Sequence, residues 1–259
     1  MMSPSLTIDI IPDEVLLEIF DSYRQLFTQS LWNNEYKWFK LMHVCRRWYH
    51  IILTSSTRLD LCLLMTTNNS GNMNTILSPH LSSLPIAIDY HDHLEANLHP
   101  NLHLAALEHC NRVRGITFSG ENDCFDKLLE KTMRPFPILE ILELFNVDSI
   151  ITELKLPATF LEGSAPHLRR LKLHRISLTS ISSLLSSATM LIELSLRIYI
   201  PVPTTLLFAH LRSMPCLCCL GDHPFLSVLV AGFTAPFLQD FHILLGDDMR
   251  PPFFTSVSR

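Results

Sequence analysis

The sequence predicts an α/β protein: a short N-terminal helical module, then a stacked-repeat solenoid with parallel strands on one face and helices on the other. Three observations carry this. Leucine supplies 46 of 259 residues and falls repeatedly into L-x-x-L-x-L. Prolines stand at a fixed place before several of those copies. Upstream of residue 60, apolar residues instead follow the helical period and include many aromatics.

Composition bounds the function. Apolar residues make up 47 % and charged residues 17 %, which is a core-forming chain rather than a disordered one. A net charge of -5 offers little phosphate neutralisation, so nucleic acid is not expected as a partner. The 7 glycines form no G-x-G-x-x-G, G-x-x-x-x-G-K or G-x-S-x-G, so neither an enzyme nor a cofactor is expected. Seven cysteines without framework spacing, and acids where a secretory signal would carry bases, predict a cytoplasmic or nuclear protein with reduced thiols. The uncharged stretch Pro224 to Gln239 contains Gly232 and Pro236 and is shorter than the ~20 residues a spanning helix needs, so no membrane is expected.

The elements follow in chain order. IPDEVLLEIFDSY predicts a helix whose first turn holds Pro12, Asp13 and Glu14, residue types suited to its positive end. Leu16, Ile19, Phe20 and Tyr23 form one stripe, while Val15 and Leu17 lie outside it, so two faces seek burial. WFKLMHVCRRWYHII continues with Trp38, Leu41, Val44, Cys45 and Trp48 at helical spacing beside Arg46 and Arg47. About fifty residues this apolar exceed what they can hide among themselves, which predicts an exposed patch for a partner. A polar loop, TTNNSGNMN, follows Thr66.

The repeats begin near residue 111. Strict copies stand at Leu139/Leu142/Leu144, Leu168/Leu171/Leu173 and Leu191/Leu194/Leu196, where chance at this leucine frequency gives about 1.4. Relaxed copies stand at Val113/Ile116/Phe118 and Leu238/Phe241/Ile243, with a broken one at Leu217/Leu220. The starts are 26, 29, 23, 26 and 21 residues apart, within the range of leucine-rich repeats. Pro137, Pro166, Pro215 and Pro236 each precede the first leucine by two, and each is expected to stop a helix and release a strand. The intervening helices are predicted on the stripes Phe125/Leu128/Leu129/Met133, Ile181/Leu184/Leu185/Ala188, Leu206/Leu207/Leu211 and Leu226/Leu229/Val230/Phe233. Asp123 and Ser177 or Thr179 are the expected N-caps. Where a regular repeat places Asn or Cys, this chain has Val147, Ile176 and Tyr199, so no asparagine ladder is expected.

Outward strand residues would line the concave face. Glu140, Glu143, Arg169, Arg170, Lys172, Glu193, Ser195, Arg197, Gln239 and His242 fall there, and Glu140, Arg169, Lys172, Glu193 and Arg197 form the candidate substrate-binding strip. Simple solvation of a strand face accounts for the same residues, and Lys172→Glu is then expected to be nearly neutral.

At the N-terminus, I-P-D-E-V-L-L-E-I-F followed by L-M-H-V-C-R-R-W closely resembles the F-box, and the leucine-rich remainder with its A-P-x-L stops is similar to the C-terminal region of fungal F-box proteins. The resemblance implies a helical adaptor-binding module over 8–57, a connecting region over 58–110 and irregular leucine-rich-repeat-like structure over 111–259. It implies docking on a Skp-type adaptor, and through it a cullin, by Ile11, Pro12, Val15, Leu16, Ile19, Phe20, Leu41, Val44, Cys45 and Trp48. The chain would then be the substrate-recruiting subunit of a Skp-cullin-F-box type ubiquitin ligase, acting on a protein substrate the sequence does not name. The interval SYRQLFTQSLWNNEYKWF departs from the family by its length, and the tail DDMRPPFFTSVSR, lacking a polar cap, reads as that of a shortened member.

Two alternatives stand beside this. One is an F-box scaffold acting outside a ligase. The other is a metal-dependent enzyme using His91, Asp92, His93, His99 and His103, whose H-x-H and i, i+4 spacings are open to zinc. Cys216, Cys218, Cys219 and His223 are a weaker set, since adjacent cysteines interrupt an expected strand and buried cysteine is common. No metal site is expected at either.

Overall fold

A computed structural model of the chain describes residues 10–25, 37–66, 81–92, 101–148, 154–197, 216–217 and 219–221. It is α/β, with parallel strands and helices. The chain forms two compact units, Met1–Asp89 and Tyr90–Arg259.

In the first unit, α1 (Asp13–Gln25), α2 (Lys37–Met42) and α3 (Arg46–Thr54) precede β1 (Leu63–Thr66) and β2 (Ile86–His91), whose last two residues pass into the second unit. The segment expected as a connection thus carries strands. The Pro12 carbonyl accepts the Val15 and Leu16 amides, so Pro12 caps α1 from outside rather than standing in its first turn. α1 buries Leu16, Leu17 and Phe20 and leaves Val15 and Ile19 outside. The expected stripe included Ile19 and omitted Leu17; a small rotation of the helix about its axis turns Leu17 inward and Ile19 outward.

The stretch from Trp38 to Trp48, expected as one helix, breaks at His43–Cys45. His43 and Val44 amides bond back only three residues, to Lys40 and Leu41, which tightens and ends α2. Cys45 is extended (φ -159°) and its carbonyl accepts the Tyr49 amide, starting α3. Strands β1 and β2 pair in parallel, Leu63 with Ile86 through Thr66 with Asp89. Consecutive β1 residues Leu63, Leu64 and Met65 are all buried, as parallel strands covered on both faces require.

In the second unit, α4 (Asn101–Ala106) runs into a short 3₁₀ turn, then β3 (Val113–Gly120), α5 (Asn122–Thr132), β4 (Ile141–Asn146), β5 (Arg170–His174), α6 (Ser182–Ser187), β6 (Glu193–Arg197) and β7 (Cys219–Gly221). Strands β3 to β7 pair in parallel in chain order, each with the next. Leu142, Leu171, Leu194 and Leu220 share one register row and Leu144, Leu173 and Leu196 another. The copy at Leu238/Phe241/Ile243 and the helical stripes after residue 200 lie outside the described residues.

In the three strict copies the first leucine precedes its strand by two residues and is fully buried at a turn. Leu139 N–H donates to Phe136 C=O, Leu168 to Ala165 and Leu191 to Ala188. Pro137 and Pro166 are the second residues of the first two turns, where a fixed φ near -65° is preorganised. Their role is to start a turn; helix α5 has already ended at Thr132, so they do not stop it.

Two further expectations are corrected. Asp123 lies inside α5, whose flanking residue is Glu121 and has no side-chain cap bond. Between β4 and β5 the described crossover is a 3₁₀ turn, Phe160–Gly163, rather than an α-helix. Leu161 and Glu162 (φ 52°) and Gly163 (φ 66°) are left-handed in succession, and Gly163 is the residue type that accepts this without strain. Turn chemistry absent from Val147 is supplied one residue earlier. Asn146, fully buried at the end of β4, accepts the Asp148 amide and donates to Asn122, while Asn122 donates to Asp148.

Candidate functional site

The apolar surface expected at the N-terminus divides in two. Leu16 (1 % exposed) and Phe20 are core, with the Phe20 ring edge-on to Trp48 at 4.8 Å. Both side chains are covered by the chain itself. Val15 and Ile19, each 47 % exposed, are four residues apart and so neighbours on the outer face of α1. Pro12 and Val44 (55 %) are exposed as well, whereas Ile11, Leu41, Cys45 and Trp48 are half-buried. Ile10, 66 % exposed, belongs to the same surface set and was missed, because it precedes the recognised pattern.

Arg47 links the start of α1 to the start of α3. Its Nε donates to Asp13 Oδ1 (3.0 Å), and its Nη2 donates to the same oxygen and to the Ile11 carbonyl (2.5 Å). A second pair, Arg58 with Glu18, ties α1 from a more exposed position. Partners 34 and 40 residues apart leave no local signal, so sequence reasoning had no means of finding either pair.

The strand-face strip is a ladder of internal ion pairs. Arg114 meets Glu140 at 3.0 Å, Arg170 meets Glu193, and Lys172 Nζ stands 3.3 Å from both Glu143 and Glu193. Glu143 is 7 % exposed, which corrects its expected place on an open, solvated face. Lys172 is its counter-charge and not a spectator. Of the candidate substrate contacts, Glu140, Lys172 and Glu193 are thus engaged within the chain, Arg169 is exposed, and the Arg197 side chain lies outside the described residues.

In the described part of the histidine stretch, Asp92 is engaged by two side chains. Asp92 accepts the Tyr90 hydroxyl (3.0 Å) and the Cys124 thiol (3.2 Å). Burial and the Asp92 carboxylate push the Cys124 thiol up to about 11, and burial with Asp92 also raises the Tyr90 hydroxyl. Both are held protonated, as donors to Asp92. His103 is buried edge-on to Tyr90, whose other neighbour, Phe118, stacks at 4.9 Å. Among the described residues no three His, Cys, Asp or Glu side chains are grouped to hold a metal ion. His93, His99, Cys218 and His223 lie outside them.

No family model matches the chain, and no curated protein matches it. Among the described residues no helix is long and apolar enough to cross a membrane.

Proposed function

We propose that the chain is the substrate-recruiting subunit of a Skp-cullin-F-box type ubiquitin ligase. Its first unit docks on a Skp-type adaptor that bridges to a cullin, and its repeat region forms a curved solenoid that binds a protein substrate. The observation that supports this most is the pair Val15 and Ile19, beta-branched side chains held half-exposed on the outer face of a helix whose inner face is already packed. Water-exposed apolar side chains so placed gain by being covered, about 1 kcal/mol for each half-exposed aliphatic. The protein makes and breaks no bonds in this reading; it raises the local concentration of substrate lysines near the conjugating enzyme.

The test is co-expression with a Skp-type adaptor and cullin, comparing the wild type with Val15→Asp/Ile19→Asp. Both substituted side chains lie outside the core, so the double variant should keep its circular dichroism while adaptor affinity falls about 100-fold, as expected for lost burial plus carboxylates facing an apolar partner. Absence of adaptor from the wild-type complex refutes the proposal. Adaptor without cullin selects the alternative of a scaffold acting outside a ligase.

A further inference from the structure

We infer that Arg47 is the positioning residue of the docking surface. This rests on the adaptor-docking reading above and concerns how that surface is assembled. The exposed apolar groups come from two stretches far apart in the chain, Ile10 with Pro12 before α1 and Val44 before α3. Arg47 joins them. Its guanidinium takes the carboxylate of Asp13, the first residue of α1, and the carbonyl of Ile11, the peptide just ahead of Pro12.

The chemistry suits this task. The Pro12 carbonyl already serves the first amides of α1, whereas the Ile11 carbonyl lies one residue outside that ladder; a planar guanidinium can serve a carboxylate and a carbonyl together, where an ammonium acts as a point charge. Arg47 is only three residues from Val44, so its bonds to Asp13 and Ile11 tie the segment before α1 to the segment before α3. The Arg58 to Glu18 pair instead joins the turn after α3 to a position more than a turn inside α1, away from its first residue. Preorganisation of this kind changes affinity by removing the ordering cost that binding would otherwise carry.

The experiment uses the full chain and a purified Skp-type adaptor, with Arg47→Ala, Arg47→Lys and, as matched control, Arg58→Ala. Arg47→Ala should weaken adaptor binding about 10-fold, Arg47→Lys should recover about half of that loss on a logarithmic scale, and Arg58→Ala should stay within about 2-fold of wild type. In the absence of adaptor, hydrogen exchange of a peptide covering residues 10–16 should speed up about 10-fold in Arg47→Ala and stay near wild type in Arg58→Ala. Equal losses in Arg47→Ala and Arg58→Ala, or wild-type exchange in Arg47→Ala, overturn the inference. Should the wild type itself not bind adaptor, the docking reading falls, and the exchange measurement still decides the role of Arg47.

Discussion

Replacing Lys172 by Glu tests the strand-face ladder directly. Lys172 Nζ is 3.3 Å from Glu143 and 3.3 Å from Glu193, and the Glu143 side chain is 9 % exposed against 33 % for Lys172. At an effective dielectric constant of 20, the gross attraction of one such pair is about 5 kcal/mol, most of it offset by the desolvation of both ions. Breaking fully buried pairs costs about 3–5 kcal/mol and breaking exposed ones at most about 1, so this half-covered lysine stands between, near 2–3 kcal/mol. A glutamate there adds repulsion between three carboxylates to that loss. For a unit of this size the midpoint should fall by roughly 5–10 °C in a thermal melt followed by circular dichroism. Adding Glu143→Gln to the variant removes the buried charge and should restore roughly half of the loss, a coupling that the double-mutant cycle isolates. A Lys172→Glu protein that melts within about 1 °C of wild type would refute the ladder as a stabilising feature, and with it the burial of Glu143.

Leu171 lies fully buried in the row between Leu142 and Leu194, so Leu171→Asp should cost more than about 4 kcal/mol through an unpaired buried carboxylate, while exposed Thr189→Ala stays within about 0.5; equal urea midpoints would show the register to be wrong. The Cys124 thiol is raised from 9.0 to about 11, so between these values the unfolded chain loses a proton that the native chain keeps. Stability therefore holds below pH 9 and falls as pH rises toward 11, by on the order of 1 kcal/mol once partial exposure is discounted; a flat alkaline profile would contradict the burial of the thiol beside Asp92. Asp92→Asn removes the negative charge beside the thiol and should speed its alkylation at pH 8 by about 3–10-fold.

The sequence by itself determined the places of β4, β5 and β6 and that they run parallel, while β1 and β2 carry no such repeat and fall in the segment expected as a connection. Leu142/Leu144, Leu171/Leu173 and Leu194/Leu196 alternate with polar residues over spans too short to be anything else between turns, and their spacing leaves room for a crossover each time. It also determined the start of α1 and most of its buried face, since Pro12, Asp13 and Glu14 are local signals acting on local backbone. Only the tertiary structure decided that Leu17 rather than Ile19 turns inward, because both fit an amphipathic stripe and the choice depends on what α2 and α3 present. The same holds for Glu143, whose outward place in the pleat says nothing of what covers that face, and for Asp92, which reaches Cys124 across 32 residues of sequence. Periodicity reports a residue's own element, whereas burial and charge pairing belong to two elements at once. Arg47 shows this most plainly: next to Arg46 it reads as half of a basic pair, and its geometry as a tie to Asp13 and Ile11 exists only after the chain has folded back on itself.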